Sequence, residues 1–425
     1  MAEIKNIRDE KQEEVSKLWL DGTRKSTLVL GTGFGKSKVT MIILSKLYEC
    51  KILNDKSSIL LLADSEKLRD SNWKEDFEKW GYSWMWDNIQ AECYQTAYKW
   101  VGTSWDLVIA DEIDFAMTDE FHKVFVNNDF QMILGLTGYV DPSKEDLINN
   151  IAPIIVKYST QDAQKDGILN GTQVVFVEYD LSRNPKDITV EYTKGGKKQS
   201  FTQSENDAYA YYEDRCNILW GKITQLESDP DVVFGIDAEK MYDLRSLKYR
   251  WKKASSDRKN LLFNGIASKS VTKKLISEIL KNPNNKVLTF SMYTDQADSI
   301  NDVTFHGKNK KGNTALEDLS SGKIRSAGVC KAVNRGINLV GVNNLILESY
   351  DGSKTSFHQR HGRGMRLNPN QKMYFYILLP YYRKKIQSPE NKDQKVEVRR
   401  PTQMVKWASN MLDGFHLHNP MTIKL

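Results

Sequence analysis

Thr27-Leu28-Val29-Leu30 is an apolar run, Gly31-Thr32-Gly33-Phe34-Gly35-Lys36-Ser37 follows it, and Val39-Thr40-Met41-Ile42-Ile43-Leu44 continues with a helical pattern. A strand that turns through glycines straight into a helix commits the chain to an α/β topology. The turn also carries a chemistry. Backbone N–H groups and a helix N-terminus converge there on an anion, and Gly33 and Gly35 let the backbone curl around phosphate oxygens. Lys36 would reach the β- and γ-phosphates of a nucleotide, and the Ser37 hydroxyl would ligate Mg2+. The strict G-x-x-x-x-G-K-S/T pattern wants glycine where Leu30 stands, so this segment alone leaves a flexible Gly-rich turn as the alternative.

Two further segments suit the same chemistry. Trp105-Asp106-Leu107-Val108-Ile109-Ala110 reads as a buried strand and ends in Asp111-Glu112-Ile113-Asp114. In these positions Asp111 would orient Mg2+ through water, and Glu112 would position or deprotonate the water that attacks the γ-phosphate. An N-cap followed by an acidic first helical turn is the structural alternative. Near the other end lies Gln359-Arg360-His361-Gly362-Arg363-Gly364-Met365-Arg366. Guanidinium forks match phosphate oxygens bidentately and keep their charge, so arginines packed around two glycines suit a polyphosphate, with a basic surface patch as the alternative.

In order and spacing these segments resemble a superfamily 2 helicase or nucleic-acid translocase. Arg8 and Gln12 are similar to the R-x-x-x-Q segment that contacts adenine in that superfamily. Leu30 to Ser37 resembles motif I, where a T-G-x-G-K-S/T core without the first glycine is usual, so Thr32 joins the nucleotide site by resemblance. Ile59 to Ser65, with Leu68 and Trp73-Lys74-Glu75-Asp76-Phe77 after it, resembles motif Ia and implies that Ser65 meets the nucleic-acid backbone. Tyr94-Gln95-Thr96-Ala97 is similar to the next strand-contacting segment, which places Gln95 and Thr96 on nucleic acid. Asp111 to Asp114 resembles motif II, with Asp114 in place of the commoner histidine, and Leu136-Thr137-Gly138 resembles motif III, whose threonine couples the two sites.

The resemblance continues downstream. Val287-Leu288-Thr289-Phe290-Ser291 is similar to motif IV, and implies a strand contact for Ser291. Val333 to Leu339 resembles motif V, which puts Gly336 and Asn338 in the nucleotide site, although Asn338 replaces a more usual aspartate. Gln359 to Arg366 resembles motif VI and implies catalytic roles for Gln359, Arg363 and Arg366, the arginines acting as fingers.

What the resemblance implies is two tandem RecA-like domains, each a parallel sheet flanked by helices, with the ATP cleft between them. Strand candidates at 26–30, 58–63, 106–110 and 132–136 belong to a first ATP-binding domain over 1–155. Candidates at 286–291, 302–306, 327–331, 344–348 and 373–379 belong to a second over 261–385. Residues 156–260 read as a linker with helical elaboration: a strand around Val174 to Glu178, an exposed hairpin or loop at 193–198, and a helix over 205–227. Residues 386–425 form a C-terminal extension, with a loop or β-excursion and a short amphipathic helix over 404–412. The implied cofactors are ATP and Mg2+. The expected function is an ATP-dependent DNA helicase or translocase on duplex, forked or junction DNA in replication, recombination or repair. The Trp73–Phe77 segment resembles branched-DNA helicases of phages, and short mixed runs of asparagine and lysine point the same way. An RNA helicase and a motor subunit of a nuclease or defence complex are the alternatives, and partner proteins of a replication or recombination complex are expected.

Charge and hydropathy bound the partners. The formal net charge of +6 permits nucleic-acid binding. Basic residues gather at Arg245 to Lys259, at Lys308 to Lys311 and at Arg383 to Lys385, and aromatics interleave with the first and third of these. Lys252 and Lys253 are the nucleic-acid contacts expected there, with solvated helix faces as the alternative. Apolar runs fall short of the roughly 18 residues of a membrane span, and the N-terminus lacks a signal-peptide core, so no membrane partner and a cytoplasmic location are expected. The cysteines at 50, 93, 216 and 330 lack metal-site or disulfide spacing.

Overall fold

A computed structural model describes the chain except for residues 1, 32, 65–71, 170, 195–196, 307, 309–313, 331–340, 351, 353–371, 389–393, 413–420 and 425, and the side chains of 2–6, 193–194 and 410–412. Its contacts divide the described chain into two units, the first running to Thr172 and taking in residues 341–343 and 372–373, the second comprising the rest from Gln173 onward.

The first unit is built on six strands: β1 (Lys25–Leu30), β2 (Ile59–Ala63), β3 (Ile89–Cys93), β4 (Ser104–Asp111), β5 (Asp129–Thr137) and β6 (Ile154–Tyr158). They form one parallel sheet in the order β3-β2-β4-β5-β1-β6. Successive side chains point to opposite faces, and both faces are covered. Leu28, Leu30, Leu61, Ile109 and Leu136 pack on one side with Trp19, Val39 and Ile43. Val29, Leu60, Leu62, Val108 and Ala110 pack on the other with Tyr94 and Ile113. That two-sided burial is why the central strands read as unbroken apolar runs. Helices α1 (Ala2–Asp21) and α2 (Lys36–Glu49) lie on the first of these faces, and α3 (Trp73–Lys79) adds Trp73 and Phe77 to the same core.

The second unit contains β7 (Thr172–Asp180), a separate hairpin of β8 (Ile188–Lys194) and β9 (Lys197–Gln203), then β10 (Val287–Ser291), β11 (Thr304–Phe305), β12 (Ser326–Cys330), β13 (Asn344–Leu347), β14 (Met373–Gln387), β15 (Lys395–Pro401) and β16 (Met421–Lys424). The sheet order is β11-β12-β10-β13-β14-β7-β16, with β15 beside β14. The segment from β11 to β14 is parallel. β14 and β15 pair antiparallel, so the expected excursion is a hairpin that prolongs the sheet. Two long helices, α4 (Glu205–Glu227) and α5 (Ala238–Phe263), pack together through Cys216, Leu219, Leu247, Trp251 and Ala254. Both domains are thus α/β with a parallel sheet, as tandem RecA-like domains are.

Candidate functional site

Strands β4, β5 and β1 are neighbours, and their C-terminal ends bring together the loop after Leu30, the Asp111 carboxylate and the Thr137 hydroxyl. A parallel sheet opens its ligand crevice at that end. Gly35 caps α2 with φ 102°, a left-handed value that glycine adopts readily. It has a second constraint: a Cβ there would lie 2.5 Å from Gln12 Nε2 and 2.9 Å from an Arg8 guanidinium nitrogen. Those side chains belong to α1. Gln12 Nε2 donates to the Phe34 carbonyl at 2.6 Å, and Arg8 donates to the Phe34 and Gly33 carbonyls at 3.0 and 2.9 Å. Arg8 and Gln12 therefore clasp the outer backbone of the turn, which leaves the amides on its inner side for an anion.

Lys36, the first residue of α2, reaches across to the carboxylates. Its Nζ lies 2.6 Å from Glu112 Oε1 and 3.9 Å from Asp111 Oδ1. Burial alone would depress the ammonium, but the charges of Glu112 and Asp111 outweigh it and raise Lys36 above its ordinary range. Burial likewise opposes ionisation of Glu112, yet Lys36 and the Gly138 and Thr137 donors hold it below the usual carboxylate range. Asp111 is pushed up to about 6 by burial, with Lys36 opposing the shift and Glu112 adding to it. Its Oδ2 accepts from the Trp73 indole N–H at 3.1 Å, while its buried Oδ1 accepts no hydrogen bond. An anionic oxygen buried without a donor suits a hard cation. The donor set fits Mg2+, with Ser37 in the same first turn of α2.

Thr137 ties the cluster together. Its Oγ1 lies 2.8 Å from Asp114 Oδ1, 3.2 Å from Glu112 Oε2 and 2.9 Å from the Tyr139 carbonyl. One hydroxyl has one proton to give. Asp114 resolves the excess of acceptors, because burial and the Glu112 charge push its carboxyl up to about 7, where the neutral form can donate to Thr137. Asp114 thus replaces histidine without adding a full charge. Lys144 Nζ donates to its carbonyl at 2.7 Å.

The expected nucleic-acid contacts are divided. Gln95 and Thr96 are exposed just beyond β3, and Gln95 Nε2 donates to the Asp64 carbonyl at 3.0 Å. Ser291 is 1% exposed and donates to Glu348 Oε2 at 2.8 Å, so its hydroxyl is committed inside the second unit and does not present itself to a strand. Lys252 and Lys253 are exposed on α5. Thr32, Ser65, Gly336, Asn338, Gln359, Arg363 and Arg366 lie outside the described residues. Trp73, Tyr94, whose hydroxyl donates to the Asp111 carbonyl at 3.1 Å, and Lys144 are the site residues that sequence reasoning missed. Trp73 and Tyr94 stand in motif-like segments that give them no role at the carboxylates, no motif marks Lys144, and each meets the carboxylates only through the fold.

Residues 270–368 match the helicase conserved C-terminal domain. No curated protein matches the chain. Among solved structures it is similar to a fragment assigned as the HsdR subunit of a type I restriction enzyme from Vibrio vulnificus, at 14% identity and a TM-score of 0.54, over 97% of this chain and 67% of that one. It is also similar to the ATP-dependent type ISP restriction-modification enzyme LlaBIII bound to DNA, at 12% identity and a TM-score of 0.57, over 97% of this chain and 31% of that one. The helicase domain of Hef from Pyrococcus furiosus aligns at 14% identity and a TM-score of 0.45, over 87% of this chain and 94% of that one. The first two likenesses are of fold, and this chain spans about a third of the type ISP enzyme. With the matched domain and the two parallel-sheet units, the chain resembles superfamily 2 helicases and translocases, a family that uses ATP, normally with Mg2+. No described helix is long and apolar enough to cross a membrane.

Proposed function

We propose that the chain is an ATP-driven motor on DNA, hydrolysing ATP at the Lys36, Asp111 and Glu112 cluster and acting on forked or branched DNA. The observation that carries this reading is the buried, donor-free Asp111 Oδ1 beside a lysine that leads the helix after a Gly-rich turn. Asp111 and Ser37 would hold Mg2+, which neutralises phosphate charge. Lys36 leaves Glu112 for the β- and γ-phosphates. Its departure removes the charge that keeps Glu112 weakly basic, so the same movement that binds phosphate makes Glu112 a better acceptor for the proton of the attacking water. Thr137 and the Gly138 amide hold Glu112 in orientation meanwhile. Arg8, Gln12, Thr32, Gly336 and Asn338 complete the nucleotide site in this reading. In this reading Gln359, Arg363 and Arg366 act at the γ-phosphate, and Ser65, Gln95 and Thr96 touch the strand.

A second reading, a motor chain within a nuclease or defence complex, is favoured by the likeness to two restriction enzymes across 97% of this chain. The test is ATP turnover with Mg2+, measured in parallel with single-stranded DNA, duplex, fork, four-way junction and RNA. Selective stimulation by forks and junctions is expected, duplex-only stimulation would favour the second reading, and RNA-only stimulation would refute DNA as the track. Lys36→Ala should abolish turnover; Glu112→Gln should retain nucleotide binding while losing hydrolysis.

A further inference from the structure

Two sets of cations stand out in the second unit. One set is spent internally. Arg383 donates to Asp180 at 2.7 Å and lies 3.8 Å from Glu397, Lys384 pairs with Asp214, and Arg399 bridges Asp180 and Glu178 at 2.6 and 2.8 Å. Arg258 donates to Glu213 at 2.6 Å in a buried pair. In the basic run at Arg383 to Lys385, Arg383 is therefore matched by β7 and β15 and Lys384 by α4.

The other set meets at one place. Lys198 on β9, Arg215 on α4, and Arg250 and Lys253 on α5 line a single concavity of about 440 Å3. Among the described residues, none of these four forms an ion pair. Four cations held around one hollow repel each other, and a polyanion would relieve that. Aromatic rings share the site: Tyr212 forms its floor, and Tyr249 stands at its mouth, 72% exposed. Tyr249, Arg250, Lys253 and Asp257 share one helical face by their spacing. Trp251, by contrast, packs against Trp220 at 5.2 Å between α4 and α5 and is no platform for a base.

We propose that this hollow takes one nucleotide of a single strand of nucleic acid, with its phosphates on Arg215, Arg250 and Lys253 and its base against Tyr249. The inference rests on the motor reading above and adds to it a track-binding site outside the nucleotide cluster. A recess favours a single strand over a duplex, because only an unstacked base can turn into it and lie on a ring. Two carboxylates, Glu191 and Asp257, also line it, with Asp257 feeling the Lys253 and Arg215 charges; they leave the lining at two net positive charges and offer acceptors to base amino groups. The volume lies within the ~300–1,000 Å3 typical of small-molecule pockets.

The test is fluorescence anisotropy of a labelled deoxycytidine oligomer, alone and annealed to its complement, across a salt series without ATP. Arg250→Ala should weaken single-strand binding and lower the slope of log affinity on log salt by about 0.7, one phosphate contact. Tyr249→Ala should weaken it about tenfold with the slope unchanged, and Tyr249→Phe should stay within about twofold of wild type. Both side chains are exposed, and unchanged melting temperatures would verify the fold. Duplex binding should be unaffected. Wild-type affinity and slope in both alanine variants would overturn the proposal, as would equal losses on single strand and duplex. A wild-type protein that binds no nucleic acid at all would instead bring down the motor reading, and this site with it.

Discussion

Trp73→Phe separates packing from electrostatics at the carboxylate cluster. The phenyl ring keeps most of the apolar contact of the buried indole but removes the N–H that donates to Asp111 Oδ2 at 3.1 Å. A hydrogen bond to a charged group is worth about 1.5–3 kcal/mol net, and one pKa unit corresponds to about 1.4 kcal/mol. Losing it should lift Asp111 by about one unit or more, with the lower figure favoured because the Lys36 charge stays in place. Asp111 starts near 6, so its ionisation would move to about 7. Because kcat/KM reports the ionisations of the free enzyme, its acid limb should move with Asp111. The variant should then fall about fivefold below wild type near pH 6 and converge with it above about pH 8. The assay is ATP turnover at low substrate over a pH series. An acid limb at the wild-type midpoint, with activity reduced evenly at every pH, would show that Trp73 acts through packing alone.

Asp114→Asn should change the melting temperature little near about pH 4 and raise it progressively more up to about pH 7, beyond which the gain levels off. An unfolded aspartate ionises near about pH 4 whereas the folded Asp114 carboxyl, pushed up to about 7 by burial and Glu112, ionises only there, so the wild type loses stability across that window and the amide does not; a difference that stays constant from about pH 4 to about pH 7 would contradict this. Gly35→Ala should abolish nucleotide binding as read by equilibrium dialysis, since the new Cβ would meet Gln12 at 2.5 Å in a left-handed backbone; wild-type affinity would show that the clasp gives way. Arg363→Ala and Arg366→Ala should keep nucleotide affinity and lose roughly 10³-fold in turnover, with little rescue by lysine at position 366. Normal turnover with lost DNA binding would move those arginines to the track.

The strands that could be read in advance are those with two covered faces. β1, β2, β4 and β5 lie inside the first sheet and show it as apolar runs, whereas β3 and β6 are its two edges. β6 alternates between partial burial and exposure, while β3, Ile89-Gln90-Ala91-Glu92-Cys93, is buried only at its two ends and carries no apolar run to detect. The far half of β14, Tyr381 to Gln387, likewise alternates in burial and looks like a basic surface, although Arg383 is matched by β7 and β15 and Lys384 by α4. Val174 to Glu178 and the helix over 205–227 were legible; the role of α5 was not, because few of its residues are buried. At the site, Lys36, Asp111, Glu112 and Thr137 are motif residues and do meet. Trp73 stands 38 positions before Asp111, and only the folded sheet brings the two together.

The position of β16 bears on how this protein can be engineered. Met421–Lys424 pairs in parallel with Val175 to Glu178 of β7, and β7 has no other neighbour on that side of the sheet. Cutting the chain before Met421 would uncover a nine-residue strand rich in valine and aromatic side chains, with a row of unpaired amides and carbonyls. Such a shortened protein would carry a template for recruiting strands from other molecules, and its failure would show as self-association at concentrations where the longer chain stays dispersed.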